Sequence, residues 1–116
     1  MNEVISKEQG SRHYQWGNQC AGWNLVDEEA LSIKLESMPP GTREIPHFHH
    51  HAQQFFFILK GSATIEIENE ELIISANEGI LIKPFQKHKI SNAGATVLEF
   101  MLVSQPSTAN DRQNLE

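Results

Sequence analysis

No stretch of the chain carries a helical period; its apolar residues recur at every second position, in short runs closed by turn residues. Ala30-Leu-Ser-Ile-Lys-Leu-Glu-Ser-Met38 alternates apolar with polar and stops at Pro39-Pro40-Gly41, which reads as a half-buried strand and a turn. Ala63-Thr-Ile-Glu-Ile-Glu68 alternates again, Asn69-Glu70 supplies a hairpin turn and Leu72-Ile73-Ile74 returns, so Ile65 and Ile67 face inward and Glu66 and Glu68 outward. Ile80 to Ile82 forms a short buried strand before Pro84, while His88 to Ser91 and Thr96 to Ser104 flank the turn Asn92-Ala93-Gly94. About eight such strands with no long connection predict an all-β domain, a barrel or sandwich, since closing the sheet removes its exposed edges.

Within this pattern, four of the six histidines crowd into residues 41 to 61, Gly41-Thr-Arg-Glu-Ile-Pro-His47-Phe-His49-His50-His51-Ala-Gln-Gln54-Phe-Phe-Phe-Ile-Leu-Lys-Gly61. In a strand His47, His49 and, by parity, His51 point one way while Phe48 and His50 point the other. Two imidazoles two residues apart can therefore share one metal ion. A turn after His49 would break the alternation, which leaves the place of His51 open. Gln54 begins a run, Gln54-Phe-Phe-Phe-Ile-Leu59, that reads as a strand buried on both faces, and a polar amide at its entrance needs a partner. Gly79-Ile-Leu-Ile-Lys-Pro84-Phe-Gln-Lys-His88-Lys-Ile-Ser-Asn92 delivers another histidine after a Pro-containing turn, so three imidazoles can converge.

These two stretches resemble the two cupin motifs. Gly41, His47, His49 and Gly61 fall at the spacing of the first, and Gln54 stands where cupins usually carry a metal-binding glutamate. His88, Asn92 and Pro84 fit the second, although Phe85 replaces the usual turn glycine and the motif glycine aligns on Asn77 rather than on Gly79. The resemblance implies a double-stranded β-helix, or jelly-roll barrel, with the site inside. It also implies one divalent transition metal (Fe, Ni, Zn, Mn or Cu) on His47, His49 and His88, with Gln54 as a weak fourth ligand or as a partner to metal-bound water. Cupins include dioxygenases, isomerases, lyases and non-catalytic binders of sugar-like small molecules; the first is the reading favoured for this chain.

Imidazole suits several of these metals, so the ligand set alone does not choose among them. A three-histidine, one-glutamine shell is neutral, so a divalent ion keeps its full charge. It is then a stronger Lewis acid with a preference for anionic ligands, at the cost of weaker binding. Phe56, Ile58, Ile65, Phe85, Phe100 and Met38 read by count as plain core; lining a pocket instead, they would suit a small ring, with Arg43 or Lys83 as substrate anchors.

The chain has 116 residues, enough for one domain with a single core. Residues 1 to 10 read as an irregular arm, residues 11 to 104 as the barrel, and residues 105 to 116 as a polar tail that is either disordered or folded back with Arg112 on a carboxylate. Residues 11 to 26 include Trp16 and Trp23 and read as a flap covering one end of the barrel. Lone Cys20 has no partner for a disulfide, and no apolar run approaches the ~20 residues that span a bilayer. A cytoplasmic protein is expected. The net charge of -6 disfavours a nucleic-acid partner. Phe55, Phe57 and Leu59 are expected on the outer face of their strand, where an aromatic stripe predicts a homodimer.

Overall fold

In a computed structural model that describes residues 2–115, the chain is all β, with two antiparallel sheets enclosing one core. Met1 and Glu116, the outermost residues of the expected arm and tail, lie outside the described residues. The first sheet orders its strands β1 (Arg12–Trp16), β2 (Cys20–Asp27), β3 (Ser32–Met38), β10 (Leu98–Gln105), β5 (Gln53–Lys60) and β8 (Gly79–Ile82). The second orders β11 (Arg112–Asn114), β4 (His47–His49), β9 (His88–Ser91), β6 (Ser62–Ile67) and β7 (Glu70–Ser75). Period-two burial governs the core: Phe56, Ile58, Leu98 and Phe100 of the first sheet meet Ala63, Ile65, Ile74 and Ile90 of the second. Burying each large apolar side chain contributes roughly 1.5–3 kcal/mol.

The structure gives both ends a definite form. Residues 11 to 26 form a hairpin, β1 and β2, that adds to the sheet beside β3; Trp16 packs against the core and Trp23 faces the other way. The tail is ordered by its backbone: the Ser107 N–H donates to the Glu29 carbonyl at 2.9 Å, the Leu115 N–H to the Pro46 carbonyl at 2.9 Å, and β11 pairs with β4. Of the two alternatives, folding back is the one found, and hydrogen bonds hold the tail rather than apolar burial. Arg112 donates to the Ile45 carbonyl and the Asn114 amide oxygen instead of to a carboxylate.

β3 is turned inside out relative to its composition. Lys34 and Glu36 lie opposite Leu102 and Phe100 in the pairing with β10, and directly opposed residues share a face, so this polar pair looks into the molecule. Ile33 and Leu35 look outward. The ends of β3 and β9 are tied together by Asn92, whose amide donates to the Met38 and Thr96 carbonyls at 2.8 and 2.9 Å while its oxygen accepts the Gly94 N–H.

The left-handed backbone positions follow the glycine pattern even where glycine is missing. Gly41 and Gly61 have φ of 81° and 82°, and Asn77 and Phe85, at the two departures from the usual pattern, both have 69°. Asparagine accepts this conformation readily, whereas phenylalanine holds it at a cost of roughly 1–2 kcal/mol. Gly61 is constrained twice over, because a Cβ there would also lie 2.8 Å from the Val97 carbonyl oxygen. Gly61→Ala is therefore expected to destabilise the fold by about 2 kcal/mol or more, read as a lower urea midpoint at unchanged m-value.

Candidate metal centre

Strand β4 presents His47 and His49 on one face, and β9 sets His88 directly opposite His47. All three are buried, at 2%, 4% and 3% exposure. Ring centroids are 4.4 Å apart for His47 and His88, 5.0 Å for His47 and His49, and 5.6 Å for His49 and His88. Each Nδ1 sits against a backbone carbonyl: Ile45 at 2.8 Å, Asp111 at 3.1 Å and Gln86 at 2.9 Å respectively. A carbonyl only accepts, so each Nδ1 carries the hydrogen and each Nε2 is left with a lone pair.

Gln54, on β5 of the other sheet, completes the group. Its side-chain nitrogen donates to the Ser104 hydroxyl at 3.1 Å, and its oxygen lies 3.2 Å from Nε2 of His88. Nε2 of His49 is buried with no hydrogen-bond partner. Lone pairs thus converge here with no donor among these side chains, an arrangement that a bound cation would satisfy. One ligand nitrogen from each histidine lies within 4.8 Å of the others, so the trio can hold a metal ion. Burial lowers the pKa of His47 to about 3 and of His88 to about 4, and lowers that of His49 as well; the carbonyls against Nδ1 oppose this only in part. The rings therefore stay neutral, the form that ligates.

His50 and His51 are not part of the cluster. β4 ends at His49, the alternation breaks there, and both side chains are exposed, with His50 packed on Phe48 and Phe85. Their backbone N–H groups, with that of Ala52, donate to the Asp111 carboxylate at 2.9 to 3.3 Å. Burial alone would raise the pKa of Asp111, but these N–H bonds outweigh it and hold the carboxyl below its usual value. Asp111 thus pins the turn after the ligand strand with its side chain and orients His49 with its carbonyl.

A cavity of about 210 Å³ opens beside His47, His49 and Gln54. Most of the apolar candidates are plain core, the simpler of their two readings. Phe56 does line the cavity, but Met38, Ile58, Ile65 and Phe100 are core, and Phe85 is 60% exposed. Arg43 and Lys83 are exposed and do not line it. Its walls carry Tyr14, Lys34, Glu36, Glu44 and Arg112 instead. The Tyr14 hydroxyl donates to Glu36. Burial raises the pKa of Glu36, against the opposing pull of Tyr14 and Lys34. Burial likewise raises that of Glu44 to about 8, which favours its protonated form, against the opposing pull of Arg112 and the Ile90 N–H. For Lys34 and Glu36 the signal is the parity of β3, whose polar set had to face somewhere; Tyr14, Glu44 and Arg112 come from other segments and carried no such signal.

Residues 34–104 match the cupin domain family. The chain belongs to the cupin family. Among its curated relatives is an uncharacterized protein of Methanocaldococcus jannaschii, 27% identical over 76% of this cupin and 70% of that protein. A putative mannose-1-phosphate guanylyltransferase of Vibrio cholerae is 23% identical over 95% of the chain, which spans only 23% of that relative's length. Two solved structures share the fold. An uncharacterized Klebsiella pneumoniae protein with a double-stranded β-helix domain has a TM-score of 0.81 at 20% identity, covering 100% of this chain and 99% of its own. The polyketide cyclase RemF of Streptomyces resistomycificus has a TM-score of 0.80 at 15% identity, covering 100% and 87%. Cupins of this fold thus include enzymes.

Two outcomes follow for this cupin. Unfolded histidines take up protons near pH 6.5, whereas the folded ones refuse them until about pH 4 or 3. Stability of the metal-free protein is therefore fully present above pH 6.5 and falls as the pH drops toward 4, which denaturation midpoints at stepped pH will read. Asp111→Ala removes the acceptor of three N–H groups and loosens the strand that orients His49. It is expected to weaken metal binding about 10- to 100-fold, by titration against a competing chelator.

Proposed function

We propose that this cupin is a metal-dependent enzyme acting by proton transfer on a small, polar, oxygen-bearing organic molecule. The observation that carries the reading is the junction of the converging acceptors with a cavity whose walls hold two carboxyls, a phenol, an ammonium and a guanidinium. His47, His49 and His88 would hold one divalent transition metal, Fe, Ni, Zn, Mn or Cu, with Gln54 offering its amide oxygen from the facing sheet. When bound, that ion supplies a Lewis acid of undiminished charge, because all four side chains are neutral.

The chain's own residues supply the rest. Glu36, held by Tyr14, is the general base for a C–H next to a carbonyl; the pair of electrons left on carbon moves to the carbonyl oxygen, and the proton rests on the Glu36 carboxylate until it returns to a neighbouring carbon or oxygen. Desolvation raises the basicity of Glu36 toward working pH, which favours this exchange. Lys34 and Arg112 place positive charge at the cavity wall for an anionic substituent of the substrate. Protonated Glu44 adds a hydrogen-bond donor there without repelling it. The oxidative alternative, a dioxygenase-type cupin, rests on the open positions that a three-histidine shell with a weak Gln54 leaves for substrate and oxygen, and the polar walls favour proton transfer over it.

The experiment loads the protein with each metal, measures metal content, and follows hydrogen–deuterium exchange by NMR in a panel of 2-hydroxy ketones and 2-oxo acids while recording oxygen uptake. Exchange without oxygen consumption is expected in the wild type. Glu36→Gln should keep the metal and lower exchange at least ~100-fold, while His88→Ala should lose the metal and His50→Ala keep it. Gln54→Glu should tighten metal binding by adding a formal charge to the shell. Metal-dependent oxygen uptake without exchange would restore the oxidative reading, and binding with neither would make the protein a non-catalytic binder.

A further inference from the structure

We propose that Gly22 is a positioning residue of this site: the space above it seats the Tyr14 ring, through which it fixes the Glu36 carboxylate for proton transfer. The role presupposes the proton-transfer reading; the seat itself does not. Tyr14, Gly22 and Glu36 occupy one cross-strand row, since Tyr14 pairs with Gly22 and Gly22 with Glu36. Directly opposed residues share a face, and Tyr14 and Glu36 both line the cavity. Strands about 4.8 Å apart put β1 about 9.6 Å from β3, so an ordinary side chain on β2 would stand between the phenol and the carboxylate. A Cβ on Gly22 would overlap Cζ and the hydroxyl oxygen of Tyr14 and lie 2.5 Å from its Cε2. The hydroxyl end of the ring therefore lies across the glycine, and from there it donates to one Glu36 oxygen.

Space, not backbone freedom, is what Gly22 supplies. Unlike Gly41 and Gly61 it has no left-handed φ; it is buried inside β2, where a glycine weakens a strand and marks a close approach. The hairpin that carries the ring is pinned beside it, because Trp16 donates its indole N–H to the Ala21 carbonyl at 3.1 Å. Among the described residues, the Tyr14 hydroxyl is the one hydrogen-bond donor to the Glu36 side chain. That bond occupies one carboxylate oxygen and fixes the plane of the group, which leaves the other oxygen to take the substrate proton. A base misplaced by about 1 Å loses on the order of 10²-fold in rate. Burial raises the Glu36 pKa, and the bond from Tyr14 is the largest opposing influence, ahead of Lys34 and Arg112. Burial and then the Glu36 charge raise the phenol's own pKa above its usual value, against Arg12. Lys34 Nζ lies 5.7 Å from the ring centroid, and Glu44 shares the same wall.

Tyr14 is the one tyrosine of the chain, so alkaline difference absorbance reads it alone. At pH ~10.5 a free phenol of pKa ~10 is about three-quarters ionised. That is expected in Gly22→Ala, whereas the wild-type phenol stays protonated. Circular dichroism at the same pH checks the fold. In the hydrogen–deuterium exchange assay, Gly22→Ala and Tyr14→Phe should each lower the plateau rate about 10- to 100-fold at unchanged metal content. Both should move the acidic limb of the pH profile upward, because Glu36 loses the bond that lowered its pKa. The double variant should lose no more than Tyr14→Phe alone, since both changes remove one hydrogen bond. A ring laid over a glycine also shields the sheet. Tyr14→Phe keeps that cover and removes only the hydroxyl, so it decides the role should Gly22→Ala not fold. An unchanged titration in Gly22→Ala, full exchange with an unmoved limb in Tyr14→Phe, or losses that multiply in the double variant would overturn the proposal. A wild type that exchanges nothing sinks the proton-transfer reading and this role with it; the titration then speaks for the seat alone.

Discussion

Three hydrogen bonds from imidazole Nδ1 to backbone carbonyls set what this molecule can do. Each fixes a tautomer and a ring orientation at once, and each leaves Nε2 able only to accept. For an exposed histidine that would be trivial, because water would satisfy the free nitrogen. Here the rings are buried and the carbonyls come from three separate segments, so the unfinished valences are built into the backbone. The amide of Gln54 joins them because Ser104 takes its donor side and turns its oxygen inward.

The C-terminal segment makes that arrangement rigid. A three-residue strand such as β4, paired to β9 at only one register position, has little of its own to hold it. β11 supplies a second edge, and the Asp111 carboxylate gathers three N–H groups from the turn that follows. A charged acceptor shared by several backbone donors is among the stronger hydrogen-bonding arrangements available to a loop. The residues that looked most dispensable by composition therefore govern where two of the three imidazoles sit.

Much of this was legible in the sequence. Alternation located the strands because one face of each had to be buried, and the spacing His47, His49, Gln54, His88 named the side chains that meet. The turn after His49 could not be placed by parity, since alternation says nothing about where a strand stops, and His51 was left open for that reason. Whether the tail folds back stayed open because the contacts that order it are backbone to backbone and backbone to carboxylate, which leave no apolar signature. The cavity lining escaped for a different reason. Apolar residues near a site are usually core, and Met38, Ile58, Ile65 and Phe100 are core here.

The inversion of β3 connects the two faces of the first sheet. With Lys34 and Glu36 turned inward, Ile33 and Leu35 must look outward, because the period of a strand permits nothing else. A register slip of one residue would bury the apolar pair and expose the charged one, which is the arrangement hydrophobic burial alone prefers. The pairing with β10 prevents it: Phe100 and Leu102 are committed to the interior, and their partners on β3 are Glu36 and Lys34. A polar cavity wall thus comes with an apolar exterior on the same strand, and the cost of each is offset by what it meets. Inside, Glu36 finds Tyr14; outside, Ile33 and Leu35 lie beside Val103 and Met101 of β10.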